Sequence, residues 1–248
     1  MKQWLEKIRS FEWKDPMVII LVCLLVFLSA GTSIKGCMQM GFEKKTVCID
    51  GAFGGSLKGY EGLVDEAEVT GKTAEQLVSL LRKDRDFNVI TTDRNTGVAE
   101  RVEMIRNSDA SLVLSIHAYG SHDPSASGMR NSVMKNGDVH RDDSIRFAQC
   151  IEKAFTSIVT VSNGTMLYEP LEGDIVSRKD VPFSDTTVYT YDTWDIMSCE
   201  KVTVVSDLCH VTSQTDIDTW CSEEGYRKAA ELYYQAIRDY YGLQSDDN

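Results

Sequence analysis

No CxxC or CxxH spacing occurs in this sequence, so its seven cysteines (Cys23, Cys37, Cys48, Cys150, Cys199, Cys209 and Cys221) offer no thiolate zinc site. Their wide spacing reads as small buried residues, with one or two disulfides open to an exported domain. Proline is scarce, at 4 residues in 248, while 42% of the chain is hydrophobic. That balance excludes a low-complexity chain and supplies a core for a domain of about 200 residues. Positive charge is also short: 26 Lys and Arg against 38 Asp and Glu give a net charge of -12. Residues 1–35 carry a net +2, so the remainder stands at -14. Such a surface excludes nucleic acid as a partner, and polyanions would be bound only through a shaped groove. No internal repeat is visible.

One long apolar run is present. Met17 to Ile34 holds 18 residues without a charge, flanked by Lys14 and Lys35. That length just spans a bilayer. The expected organisation is a cytoplasmic segment 1–16, a transmembrane anchor or cleaved signal peptide 17–34, a linker 35–45, a folded domain 46–242 and a tail 243–248. The weak basic bias of the first segment places the domain outside the cytoplasm, on a single-pass membrane protein, or secreted if the segment is cut.

Beyond the anchor, strands alternate with helices. Short apolar runs predict strands at 46–50, 87–92, 112–116, 187–191 and 202–205. Apolar residues at helical spacing predict helices over 65–83, 99–107, 144–155 and 223–241. The stretch 121–140 reads as a loop or a small excursion, and 160–184 has no legible pattern. The expected fold is α/β, a twisted and mostly parallel sheet flanked by helices, preceded by one N-terminal transmembrane helix.

In open α/β sheets, ligands sit at the carboxyl ends of strands. Phe53, His117 and Asp207 each fall just after a predicted strand, and Glu66 opens the first helix. A Glu and a His converging there are metal-ligand types, with a nearby carboxylate as general base. The plainer reading is a hydrogen-bonded histidine and an acid favourable to a helix dipole.

The order of these segments resembles the zinc-dependent N-acetylmuramoyl-L-alanine amidases, bacterial cell-wall hydrolases that cut the lactyl–peptide amide of peptidoglycan. Val47-Cys-Ile-Asp-Gly-Ala-Phe-Gly-Gly55 is similar to that family's Ile-Asp-x-Gly-His-Gly-Gly turn. Glu66 to Ala74 resembles its glutamate-led helix. Thr92-Asp-Arg94, Arg101 and Asn107 match further landmarks, and Ser115-Ile-His-Ala118 resembles the second histidine motif. Val204-Val-Ser-Asp207 resembles the strand that ends in the catalytic glutamate, with Asp216 matching a later aspartate.

The resemblance implies Glu66 and His117 as zinc-ligand positions and Asp207 as the position of the glutamate base. It implies peptidoglycan stem peptide or muramyl peptide as the ligand, and zinc as cofactor if the site functions. The chain also departs from the pattern. Phe53 stands where the family's first zinc histidine falls, and Asp207 is one methylene shorter than a glutamate. Tyr119 and the pair Cys209-His210 replace an asparagine and a Gly-Phe pair. The expectation is a degenerate amidase that binds peptidoglycan. The alternatives are an active zinc amidase whose substitute ligand is His210, Cys209 or His122, and a structural domain that docks a cell-wall protein.

Overall fold

A computed structural model describes residues 44–123, 126–134, 137–156 and 195–243, together with the backbone of three short strands between 167 and 190. The expected membrane segment 17–34, most of the linker and most of the tail lie outside the described residues. No helix among the described residues is long and apolar enough to cross a membrane.

Strands β1 (Lys45–Gly51), β2 (Phe87–Thr91), β3 (Leu112–Tyr119), β4 (Arg130–Val133), β7 (Val188–Thr190) and β8 (Val202–His210) form one sheet in the order β2-β1-β3-β8-β4-β7. β1 is parallel to β2 and β3, and β3 to β8, whereas β4 runs antiparallel to β8 and parallel to β7. β5 (Leu167–Pro170) and β6 (Val176–Lys179) make a separate antiparallel pair within the stretch that has no legible pattern.

The parallel centre is dictated by composition. β1, β3 and β8 are covered on both faces and are buried almost end to end, as continuous Val/Ile/Leu-rich runs require. Helices α1 (Glu66–Lys83), α3 (Arg141–Thr156) and α5 (Glu223–Tyr240) cover one face, through Val69, Leu77 and Leu81, through Phe147, Ile151 and Phe155, and through Ala229, Leu232, Tyr233 and Ile237. Helix α2 (Val98–Arg106) and the 3₁₀ turn Asp195–Cys199 cover the other, where Val102, Ile105, Ile196 and Met197 meet Cys48, Val113 and Val205. The short helix α4 (Gln214–Trp220) joins β8 to α5.

Three expectations need correction. The loop expected at 121–140 contains β4, whose Arg-Asn-Ser-Val sequence has no apolar run to announce it. β8 continues to His210 rather than stopping at 205, because the polar residues at its end are fully buried and still paired. His117 likewise lies inside β3 rather than after it, since β3 extends to Tyr119.

Candidate active site

Two residues past β1, Phe53 adopts φ 60°, in the left-handed region that non-glycine residues seldom enter. The turn is braced from below. Asp50, fully buried at the end of β1, accepts hydrogen bonds from Thr92 Oγ1 (2.5 Å), Arg101 Nη1 (2.9 Å) and Ser115 Oγ (2.6 Å). Arg94 donates to the carbonyls of Gly51 and Ala67 at 3.0 and 2.5 Å. Burial pulls the Arg94 guanidinium below its ordinary pKa, against the nearby Glu75 and Asp50. Four of the family-like landmarks, Thr92, Arg94, Arg101 and Ser115, are thus the frame of this turn. Asn107 instead ends α2, where its side chain donates to Glu103.

Glu66, the first residue of α1, reaches across the strand ends to His117. Its Oε1 lies 3.2 Å from His117 Nδ1 and accepts the Ala118 N–H at 3.0 Å, while Oε2 accepts the Tyr60 N–H at 2.9 Å. Both side chains are buried, at 4% and 5% exposure. The Phe53 ring stands edge-on to the His117 ring, 5.8 Å between centroids at 82°. Gly59, at φ 70°, makes room for this group: a Cβ there would fall 2.6 Å from both Glu66 Oε2 and Phe53 Cδ2. The β1–α1 loop is held over the strand ends by Leu63 N–H donating to the Val211 carbonyl at 2.7 Å. A shallow depression of about 440 Å³ remains above Phe53, walled by Leu57, Lys58 and Glu61. A separate cavity of about 510 Å³, between α1 and the β1–β2 edge, lies behind the turn and is lined by Ala74, Val78 and Arg82 among others.

Asp207 is the register partner of His117 on β3 and of Arg130 on β4. Arg130 Nε donates to Asp207 Oδ2 at 2.5 Å, and both residues are buried. The Arg130 guanidinium also covers the Tyr119 ring at 3.7 Å. A polar row therefore crosses the sheet: His117 with Glu66, then Asp207 with Arg130. Arg130 was not legible as a site residue, because it sits in a segment with no strand signal.

The substitute ligands are placed elsewhere. The His210 imidazole lies edge-on to Tyr119, with Nδ1 3.2 Å from the Gly128 carbonyl. Its backbone N–H and that of Gly128 both donate to Asp216 Oδ2 at 2.8 Å. Cys209 lies in the core against Cys221, and that contact, with burial, pushes its thiol pKa well up. His122 is exposed on the loop after β3. Among the described residues no group of three or more His, Cys, Asp and Glu side chains is arranged to hold a metal ion.

A catalytic zinc wants three protein ligands and an open position. The donor set here does not fit it: Glu66 and His117 supply two ligand positions, and the third corner is the hydrocarbon ring of Phe53.

The family model described as Amidase_3, N-acetylmuramoyl-L-alanine amidase, matches residues 47–239. An uncharacterized cell wall amidase of Bacillus anthracis is 23% identical over 209 residues, covering 80% of this chain and 36% of the relative. The chain thus spans about a third of that relative's length. Among solved structures, an N-acetylmuramoyl-L-alanine amidase from Clostridium difficile 630 superposes with TM-score 0.64 at 19% identity, covering 82% of this chain and 99% of that one. The CwlD amidase of Clostridioides difficile, solved in complex with the GerS lipoprotein, gives 0.64 at 17% identity over 81% and 100%. AmiC2 of Nostoc punctiforme gives 0.63 at 18% over 81% and 98%. At these identities the structures share the fold.

Proposed function

Because the chain belongs to the N-acetylmuramoyl-L-alanine amidase family, we propose that it engages peptidoglycan through the amidase groove while lacking the family's zinc-dependent hydrolysis. The observation that carries this reading is the Glu66–His117 contact closed on its third side by Phe53. The placement of Asp207 supports it. A general base needs free lone pairs aimed at the attacking water, and Arg130 occupies one oxygen of this carboxylate. The ligand would be the stem peptide or muramyl peptide, lying across the strand ends over Phe53 and the exposed Tyr119. With net charge -12, the chain gains nothing from general electrostatic attraction to the anionic wall, so recognition falls to that groove. The apolar run 17–34 would tether the domain at the outer face of the bacterial cell membrane.

Two assays on the full chain in mild detergent test the proposal. Sedimentation with purified peptidoglycan should carry the protein into the pellet, and soluble muramyl peptide should release it. Release of stem peptides from labelled wall should stay at background, with added zinc or without. Zinc-stimulated release would overturn the degenerate reading; failure to sediment would overturn the binding reading.

A further inference from the structure

Outside the candidate site, the cavity of about 510 Å³ between α1 and the β1–β2 edge combines carbon walls with positive charge. Ile49 on β1 and Ala74 and Val78 on α1 supply the walls, and all three are buried. Arg94, half-buried, closes one end. Its Nε donates to the Gly51 carbonyl at 3.0 Å, and its Nη2 to the Ala67 carbonyl at 2.5 Å and to Thr70 Oγ1 at 3.3 Å. All three acceptors are uncharged. The remaining nitrogen, Nη1, makes no hydrogen bond among the described residues. It lies beside Gly71, a lining residue at which a Cβ would collide with it.

The fully buried arginines of this domain are treated differently. Arg101, Arg130 and Arg238 each pair with a carboxylate, on Asp50, Asp207 and Asp84. Arg94 pairs with none among the described residues, although a guanidinium drawn out of water gains from a counter-charge. Around the cavity, Arg82 and Lys83 in the last turn of α1 add two exposed positive charges, and Glu75 returns one negative. The lining is therefore net positive in a chain of net charge -12. We propose that this cavity is a second ligand site, taking a small organic acid with its carboxylate on Arg94 Nη1 and its apolar body between Ile49, Ala74 and Val78.

The chemistry selects that class. A carboxylate supplies the acceptor that Nη1 lacks and the negative charge that the lining lacks. Walls of Ile, Ala and Val favour a hydrocarbon body over a bare inorganic anion. The volume is that of a small-molecule pocket. Occupancy would also leave the turn in place, because Nη1 is not one of the nitrogens that hold the Gly51 and Ala67 carbonyls. A ligand held only by the folded domain stabilises it by mass action. None of this depends on peptidoglycan binding or on the state of the zinc position.

Benzoate is the probe, with benzamide as its uncharged counterpart. In the methyl-labelled full chain in mild detergent, benzoate should shift the Ile49, Ala74 and Val78 methyl signals saturably, with a Kd of about 1 mM or tighter. It should also raise Tm. Benzamide should bind at least about tenfold more weakly, and Arg94→Gln should weaken benzoate by a similar factor. Because Arg94 also braces the turn, a second variant stands beside it. Arg82→Gln combined with Lys83→Gln changes only exposed side chains, so it should keep the fold and weaken benzoate about threefold. Shifts confined to residues around Phe53 and His117, equal binding of benzamide, or no saturation below about 20 mM would each overturn the proposal. So would unchanged benzoate affinity in a folded Arg94→Gln protein or in the double variant.

Discussion

The proposed loss of zinc-dependent hydrolysis comes down to a few side chains. Phe53 occupies a backbone conformation that histidine enters more readily than most residues, so Phe53→His should be accepted without rebuilding the turn. A second feature of the site is Arg130 on Asp207. Both are buried, and removing one partner of such a pair leaves an uncompensated charge, at a cost of about 3–5 kcal/mol. Arg130→Met should therefore lower the unfolding free energy by about 3 kcal/mol in a denaturant titration. Arg130→Met combined with Asp207→Leu should lose far less than the sum of the single changes. A strictly additive pair would mean that the ion pair has no role in holding β4 to β8. Asp216 acts at the same scale by a different route. Its Oδ2 satisfies two backbone N–H groups, so Asp216→Ala should cost about 2 kcal/mol and increase amide exchange at Gly128 and His210.

At the level of elements, α1 and α5 are tied at one end by Asp84, the C-cap of α1. Its carboxylate accepts from the Asp86 N–H, the Tyr234 hydroxyl and Arg238 Nη1 at 2.8, 2.8 and 2.5 Å. Burial alone would raise its pKa, but these three donors outweigh burial and hold it below the ordinary carboxylate range. A depressed carboxylate contributes stability above its unfolded pKa, and loses that contribution as pH falls through the folded value. Acid titration of stability should therefore show a loss beginning near pH 4 that Asp84→Asn removes, with the variant less stable at neutral pH. An unchanged acid slope would rule the clamp out.

How much of this could be read beforehand follows from where the apolar residues are. β1, β3 and the first half of β8 announce themselves as Val/Ile/Leu runs, and α1, α3 and α5 by their buried faces. β4, the end of β8 and α4 are rich in Arg, Asn, Ser, Asp, His and Gln; the two strand segments are held by backbone pairing within the sheet, and α4 is capped by Ser213. The Glu66–His117 meeting was legible through motif order; the Arg130–Asp207 meeting depends on the antiparallel pairing of β4, which no local pattern encodes.

For the whole molecule, the chain has the fold of its family, a mostly parallel sheet with helices on both faces. Around Glu66 the side chain is tied down by the Tyr60 and Ala118 N–H groups, and Gly59 packs close against it. The acidic domain and the apolar run 17–34 together predict a protein recovered with membranes and cut by protease added outside intact spheroplasts. Protection of the domain from that protease would place it on the wrong side of the membrane for the proposed role.

The most direct measurement is zinc stoichiometry by elemental analysis of the purified full chain beside its Phe53→His variant. The account predicts essentially no tightly held zinc in the native protein and about one per chain in the variant, because Glu66 and His117 stand in place and only the third ligand is missing. One zinc per native chain, retained through dialysis against a weak chelator, would contradict it.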